Sequence, residues 1–317
     1  MKIIGLGSAL PSLTVTNDML SEFLDTTDEW ISTRTGIKQR QIISDESLKE
    51  LATKASLRAI KDAGLTPKEI DFLLCSNTIN NFVVPAFSCI IQGEIGADCP
   101  CMDLNVACSG FLYALYFAES LIATGKAKNI LVLCAEECTR MVNWNERNTC
   151  VLFGDGTGAV VLTEGDSFKS THVSTQSRVE PLYYQREMEY NPFVSRPDAN
   201  VPLAMKGKDV FKLAVSSSMS DIDTVLKKAD LQAEEVDFFL LHQANLRIID
   251  SIREFLKQPV EKFPHNIEKY GNTSSASIPI LLDELYRKGA FKSGDKIVFS
   301  AFGAGFTSGA AVLEWAK

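Results

Sequence analysis

An internal repeat restricts the fold of this chain more than any other feature. Residues 59–74, AIKDAGLTPKEIDFLL, align without a gap on residues 225–240, VLKKADLQAEEVDFFL. Seven positions are identical: Lys61/Lys227, Ala63/Ala229, Leu65/Leu231, Glu69/Glu235, Asp71/Asp237, Phe72/Phe238 and Leu74/Leu240. Each copy reads as the end of an amphipathic helix, a short turn, and a continuous apolar strand of the kind buried on both faces. The helix from Ser109 to the stop at Gly125 matches one from about Thr273 to the stop at Gly289, which sets Cys108 opposite Asn272. The strand TGAVVLTE (157–164) pairs with SGAAVLEW (308–315). The acidic turn positions agree as well as the apolar ones, which generic βαβ grammar does not require. Duplication therefore predicts two halves, 1–165 and 166–317, of α/β type, with mixed sheets packed against helices between and around them. If the halves pack face to face, Cys108, His242 and Asn272 approach one centre.

Composition narrows the function. The chain has 317 residues, 45% of them hydrophobic and 23% charged, as a globular protein does, and its longest apolar stretch is too short to span a bilayer. The opening MKIIGLGSALPS lacks the apolar region of a secretory signal, so a cytoplasmic location is expected. Thirty-two Lys and Arg against 40 Asp and Glu leave a net charge of −8, the wrong sign for a nucleic-acid binder. All eight cysteines lie in the first half and none forms a CxxC pair, which argues against zinc sites and disulfide frameworks.

One of these cysteines stands apart. Cys108, in NVACSGFLYAL, sits where a β-type run meets an apolar helix, between small residues. A helix N-terminus should lower its thiol pKa, and its backbone N–H can serve an oxyanion. Cys75, at a strand end, is a distant second. Of three histidines, His172 lies in a polar stretch and His265 in a loop, whereas His242 directly follows the buried strand DFFLL. Asn272, in KYGNTSSAS, reads either as a helix N-cap or as a neutral donor to an enolate or oxyanion. The Gly-rich segments GDGTGA (154–159) and FGAGFTSG (302–309) each run into a strand, not a helix, so neither fits a nucleotide loop. The second reads as close backbone approach to a reacting carbonyl, with the Ala304 N–H as an oxyanion donor.

VACSGF, LHQANLRI and YGNTSSAS, with DTTDEWISTRTGI near the start, closely resemble the β-ketoacyl-acyl carrier protein synthase III family. The resemblance covers nearly the whole chain and is thinnest between about residues 165 and 200. It implies a thiolase-like fold, two duplicated α/β halves in five layers, α-β-α-β-α. It further implies that Cys108 takes an acyl group from acyl-coenzyme A, and that His242 and Asn272 handle malonyl-acyl carrier protein in a decarboxylative condensation. The backbone N–H groups of Cys108 and Ala304 would form the oxyanion hole. Trp30, Arg34 and Arg147 match positions that hold the adenine end of coenzyme A, and Phe153, Gly207 and Phe211 would line the pantetheine tunnel. Lys206, Lys208, Lys212 and Arg247 could form a basic patch for the acidic carrier protein, Arg247 with the stronger motif match. No metal or cofactor is required, and a homodimer is implied.

Four departures bear on the substrate. Val84 stands where many members carry a larger aromatic that shapes the acyl pocket. Ala304 replaces the middle glycine of a triple-glycine turn, which costs little only if its φ is negative. Ser308 stands where a tryptophan often sits, and residues 182–193 look unlike the family. A degradative thiolase is excluded, because no cysteine follows Cys150. A hydroxymethylglutaryl-coenzyme A synthase would need a Glu near the cysteine, and none fits its pattern. Plant-type polyketide synthases share Cys-His-Asn but use free malonyl-coenzyme A, and HQANLR favours the carrier-dependent type. A transferase passing the acyl group to a non-malonyl acceptor stays open, and a non-catalytic subunit would not retain all three residues.

Overall fold

The computed structural model describes residues 1–185 and 202–317, so residues 186–193 of the atypical segment lie outside the described residues. Two sheets are built from the two ends of the chain. The first runs in the order Lys2–Ala9, Asp155–Thr163, Ile130–Glu137, Phe72–Ser76, Cys101–Leu104. The second runs Phe168–Arg178, Gly305–Glu314, Lys296–Gly303, Phe238–Leu241. Read in this direction, both sheets have two antiparallel pairings followed by a parallel one. Among the described residues, the second lacks a counterpart to the edge strand Cys101–Leu104. This shared order is the structural form of the repeat.

The matched acidic residues have matched jobs. Glu69 and Glu235 each close a capping box on a short 3-10 turn, with Thr66 and Gln232 as the partners. Asp71 accepts from the Lys128 and Asn129 backbone N–H groups, and Asp237 accepts from the Lys296 N–H. Each aspartate thereby ties its strand to the start of the neighbouring one. Selection on these contacts explains why the acidic positions agree.

The helices Gly110–Ala123 and Ser277–Arg287 lie between the sheets. Their apolar residues, Phe111, Leu112, Leu115, Ile278, Leu281 and Leu282, pack with Leu74, Val132 and Val160 of one sheet and Leu240, Phe299 and Leu313 of the other. Outside the first sheet, Leu48–Asp62 and Phe87–Ile95 cover Leu73, Cys75, Leu131 and Leu133. Outside the second, Gly207–Lys228 and Leu246–Leu256 cover Phe239, Leu241, Val298 and Val312. Successive residues of one strand thus enter different cores, which is why these strands read as unbroken apolar runs. The result is the expected five-layer α-β-α-β-α arrangement. Among the described residues, no helix is long and apolar enough to cross a membrane.

The outer helix sits unusually close to the first strand. A Cβ on Gly5 would lie 2.1 Å from the Ala59 carbonyl oxygen. Gly5→Ala is therefore expected to force the helix off the sheet and to cost about 1–3 kcal/mol or more, the range for overpacking. Urea unfolding of both proteins measures this, and an unchanged midpoint would show that helix and strand can separate freely.

Candidate active site

The central helices deliver two short 3-10 turns to one place. Ala107–Ser109 precedes Gly110–Ala123, and Ser274–Ala276 precedes Ser277–Arg287. Cys108, His242, Asn272 and Ala304 all line one cavity of about 1570 Å³, together with Trp30, Arg34, Phe153, Gly207, Lys208 and Phe211. The three residues singled out from the repeat and strand positions therefore converge.

Cys108 follows Ala107, whose φ of 46° turns the backbone sharply into the helix. The strand end at Gly303 packs directly on this elbow, where a Cβ would lie 2.7 Å from the Cys108 nitrogen. Ser109 and Thr307 fasten the two segments, their hydroxyl oxygens 2.7 Å apart. The expected lowering of the Cys108 pKa is not found. Burial pushes the thiol up to about 12, and Glu136 adds to the rise, while the Ser274 hydroxyl and the Cys108 backbone N–H act against it. Desolvation is the largest of these effects and favours the protonated thiol. Cys75 is wholly buried and its thiol is also pushed up, away from the cavity.

His242 is 2% exposed and burial lowers its pKa to about 3, so the ring is neutral. Its Nδ1 lies 2.8 Å from Ser277 Oγ, which already accepts from the Gln243 N–H. With the Ser277 hydroxyl donating to Nδ1, the ring proton sits on Nε2. Nε2 has no protein partner among the described residues. Phe302 packs edge-on against the ring at 5.3 Å. His172 and His265 pair with Asp221 and Glu268 and take no part.

Asn272 is strung into the other half of the molecule, its N–H donating to Leu152 O at 2.8 Å and its carbonyl accepting from Gly154 N at 3.1 Å. Its side-chain oxygen accepts from the Ser274 N–H at 2.8 Å. That bond is cap-like, and it orients the amide so that Nδ2 remains to donate. The two readings of Asn272 are thus compatible.

At the mouth, the Arg34 and Arg147 guanidinium carbons lie 4.7 and 4.8 Å from the centre of the Trp30 ring. Arg147 also donates to the Asp25 carbonyl. Ala304 is not in the left-handed region, so its methyl group is tolerated there, and Gly305 takes the positive φ instead. Ser308 is buried, its hydroxyl 2.9 Å from that of Ser174, in a polar contact away from the cavity lining.

Some expectations are displaced. Val84 does not line the cavity and is 80% exposed, whereas its neighbours Phe82 and Val83 do line it. Its segment leads into Phe87, whose N–H is anchored on Asp103 of the edge strand. Lys206 is paired with Glu180, leaving Lys208, Lys212 and Arg247 exposed without ion pairs among the described residues. No group of three or more metal-ligating side chains occurs among the described residues.

The sequence reading missed Glu136. It is the penultimate residue of the strand Ile130–Glu137, is wholly buried, and accepts from the Ser275 and Ser274 hydroxyls at 2.5 and 3.2 Å and from the Thr78 N–H at 3.1 Å. Burial pushes its pKa up to about 7, although these hydrogen bonds lower it. Its one sequence signal is the acidic pair Glu136 and Glu137 closing an otherwise apolar strand.

Comparison with known proteins agrees with this geometry. Residues 102–178 match the family model described as 3-oxoacyl-[acyl-carrier-protein (ACP)] synthase III, and residues 226–315 match that of its C-terminal part. The β-ketoacyl-[acyl-carrier-protein] synthase III of Clostridium acetobutylicum is 42% identical, covering 100% of this chain and 99% of its own. The crystal structure of 3-oxoacyl-[acyl-carrier-protein] synthase III from Aquifex aeolicus is 42% identical and superimposes with a TM-score of 0.93 over 99% of each chain. The priming β-ketosynthase of the R1128 polyketide biosynthetic pathway is 34% identical, with a TM-score of 0.91 over 100% of this chain and 96% of that one. With family models, full-length relatives and fold in agreement, the chain belongs to the 3-oxoacyl-[acyl-carrier-protein] synthase III family of the thiolase superfamily.

Proposed function

We propose that this condensing enzyme loads an acyl group from acyl-coenzyme A onto Cys108 and joins it to malonyl-acyl carrier protein, giving 3-oxoacyl-acyl carrier protein and carbon dioxide. The convergence of Cys108, His242 and Asn272 on one cavity carries the reading. The Cys108 sulfur attacks the acyl thioester, and the N–H groups of Cys108 and Ala304 hold the oxyanion until coenzyme A leaves. In the second half-reaction the Nε2–H of His242 and Nδ2 of Asn272 donate to the malonyl thioester oxygen. Loss of carbon dioxide then gives an enolate that these donors stabilise and that attacks the acyl-Cys108 carbonyl. A neutral histidine suits this role, because it donates without having to gain or lose a proton at ordinary pH.

Coenzyme A is proposed to enter past Trp30 and Arg34, with its adenine end held at the Trp30 indole and the Arg147 guanidinium beside it. Phe153, Gly207 and Phe211 would flank the pantetheine arm. Lys208, Lys212 and Arg247 supply the positive charge for an acidic carrier protein on a chain of net charge −8. The thioesters carry the activation, so the reading invokes no metal or cofactor. A second copy of the chain is the proposed partner of the open edge strand Cys101–Leu104 and of the exposed Phe82, Val83 and Val84 that precede Phe87. Eight unpaired thiols suit a reducing compartment such as the cytoplasm.

The test is intact-protein mass spectrometry after exposure to a panel of acyl-coenzymes A, followed by malonyl-carrier protein. Wild type is expected to gain one acyl mass and Cys108→Ala none, and a gain in Cys108→Ala would overturn the assignment. Acylation without malonyl turnover would point to another acceptor. His242→Ala and Asn272→Ala are each expected to acylate normally and to lose about 100-fold or more in decarboxylation, the scale of one lost oxyanion donor. Full malonyl turnover in either variant would remove that residue from the mechanism.

His242 also makes a stability prediction. Its folded pKa, about 3, lies below the ordinary 6.5, so the stability of the neutral ring is present above pH 6.5 and lost as pH falls toward 3. The full effect is roughly 4–5 kcal/mol. In His242→Gln, urea midpoints across this range should fall less steeply with acid than in wild type. Identical slopes would mean that the ring gains its proton as readily in the folded protein as in the unfolded one.

A further inference from the structure

Acylation of Cys108 requires its thiol proton to go somewhere, and the groups described so far do not take it. His242 is held neutral by burial and is a very weak base. One unassigned group is better placed. Glu136 has no solvent contact and, among the described residues, no cationic partner, which is a costly setting for a carboxylate with only a packing role. Its neighbours are hydroxyls in series: Ser76 donates to Ser275 at 2.9 Å, and Ser275 and Ser274 both donate to Glu136. Ser274 also lines the cavity with Cys108, on a turn packed against the one that carries the cysteine. A serine hydroxyl has one hydrogen, and here it is given to Glu136, so the oxygen lone pairs are left for the Cys108 S–H.

The geometry points to Glu136 as a positioning residue that orients the Ser274 hydroxyl and receives the Cys108 proton through it. This rests on the reading of Cys108 as the nucleophile. As the sulfur attacks the acyl carbon, the S–H proton passes to Ser274 Oγ and the Ser274 hydrogen passes to the Glu136 carboxylate. The tetrahedral adduct then collapses, the carbon–sulfur bond to coenzyme A breaks, and the departing thiolate takes one proton back along the same route. One negative charge is present throughout, on Glu136, then on the oxyanion, then on Glu136 again. Because the thiol is the weaker acid of the two, the proton moves with the attack and not ahead of it. The titratable groups that face Glu136 are the thiols of Cys75, Cys108, Cys134 and Cys138, all pushed upward by burial and further by Glu136 itself. None of them titrates near neutrality, so a rate limb there belongs to the carboxylate.

The experiment is single-turnover acylation of the full-length enzyme by acetyl-coenzyme A from pH 5.5 to 9.5, read by intact mass, for wild type, Glu136→Gln, Glu136→Asp and Ser274→Ala. The wild-type rate should rise with pH through about 7 and then level, since only the ionised carboxylate accepts a proton. Glu136→Gln and Ser274→Ala should lose that limb and fall roughly 100-fold at pH 8, the low end of what a positioned base supplies. Glu136→Asp should restore the limb in part. If Glu136→Gln does not fold, Ser274→Ala decides alone. A limb near pH 7 that survives in the variants, whether rates are unchanged or uniformly lower, overturns the proposal. Acylation of Cys108→Ala, run alongside, would instead overturn the underlying reading, so the two failures are distinguishable.

Discussion

Everything at the centre of this molecule depends on burying two apolar helices between two sheets. Gly110–Ala123 and Ser277–Arg287 are flanked on both sides by strands, so neither can shift along its axis without opening a shared core. Their N-terminal turns are thereby fixed against each other, one bearing Cys108 and the other following Asn272. The strand ends that bear His242 and Gly303 belong to the same packing. The site inherits its precision from the largest hydrophobic interface in the fold, and that interface exists because the chain is duplicated.

The same burial sets the electrostatics. A site walled by packed strands disfavours every charged form, so the Cys108 thiol and the Glu136 carboxyl are pushed up and the His242 imidazolium is pushed down. Folding preferences then oppose one another. Neutral His242 loses stability as pH falls below 6.5, whereas Glu136, whose folded pKa of about 7 exceeds its ordinary 4.5, contributes stability that is lost as pH rises toward 7. Between pH 4.5 and 6.5 the two slopes partly cancel. A neutral donor and a carboxylate poised near neutrality are both products of one dry environment.

Residues with a local signature were legible in the sequence. Cys108 stood out by the small residues around it, His242 by its place after a buried strand, and the duplicated halves by acidic positions that cap equivalent turns. Properties set by neighbours distant in sequence were not. The direction of the Cys108 shift was misread because a helix terminus is visible in a motif and desolvation is not. Val84 was assigned to a pocket by position in a motif, but its exposure is a tertiary property. Glu136 looks in sequence like its neighbour Glu137, which pairs with Arg140, and its contacts with Ser274 and Ser275 span more than 130 residues.

The repeat nevertheless contains the key to that omission. The offset that places Phe72 on Phe238 also places Ser76 on His242, and the strand registers, Phe72 beside Ile130 and Phe238 beside Ile297, place Glu136 on Gly303. In one half, a serine at the strand end and a carboxylate on the neighbouring strand are joined through Ser275; in the other, a histidine at the strand end packs edge-on against a phenyl ring. A carboxylate in place of Phe302 would favour the charged imidazolium and remove a neutral donor. A glycine in place of Glu136, as at Gly303, would leave the Cys108 side of the site without an anionic acceptor. Divergence at two paired positions thus gives the halves of a symmetric scaffold opposite proton chemistry, one suited to taking a proton from sulfur and the other to donating a hydrogen bond without losing one.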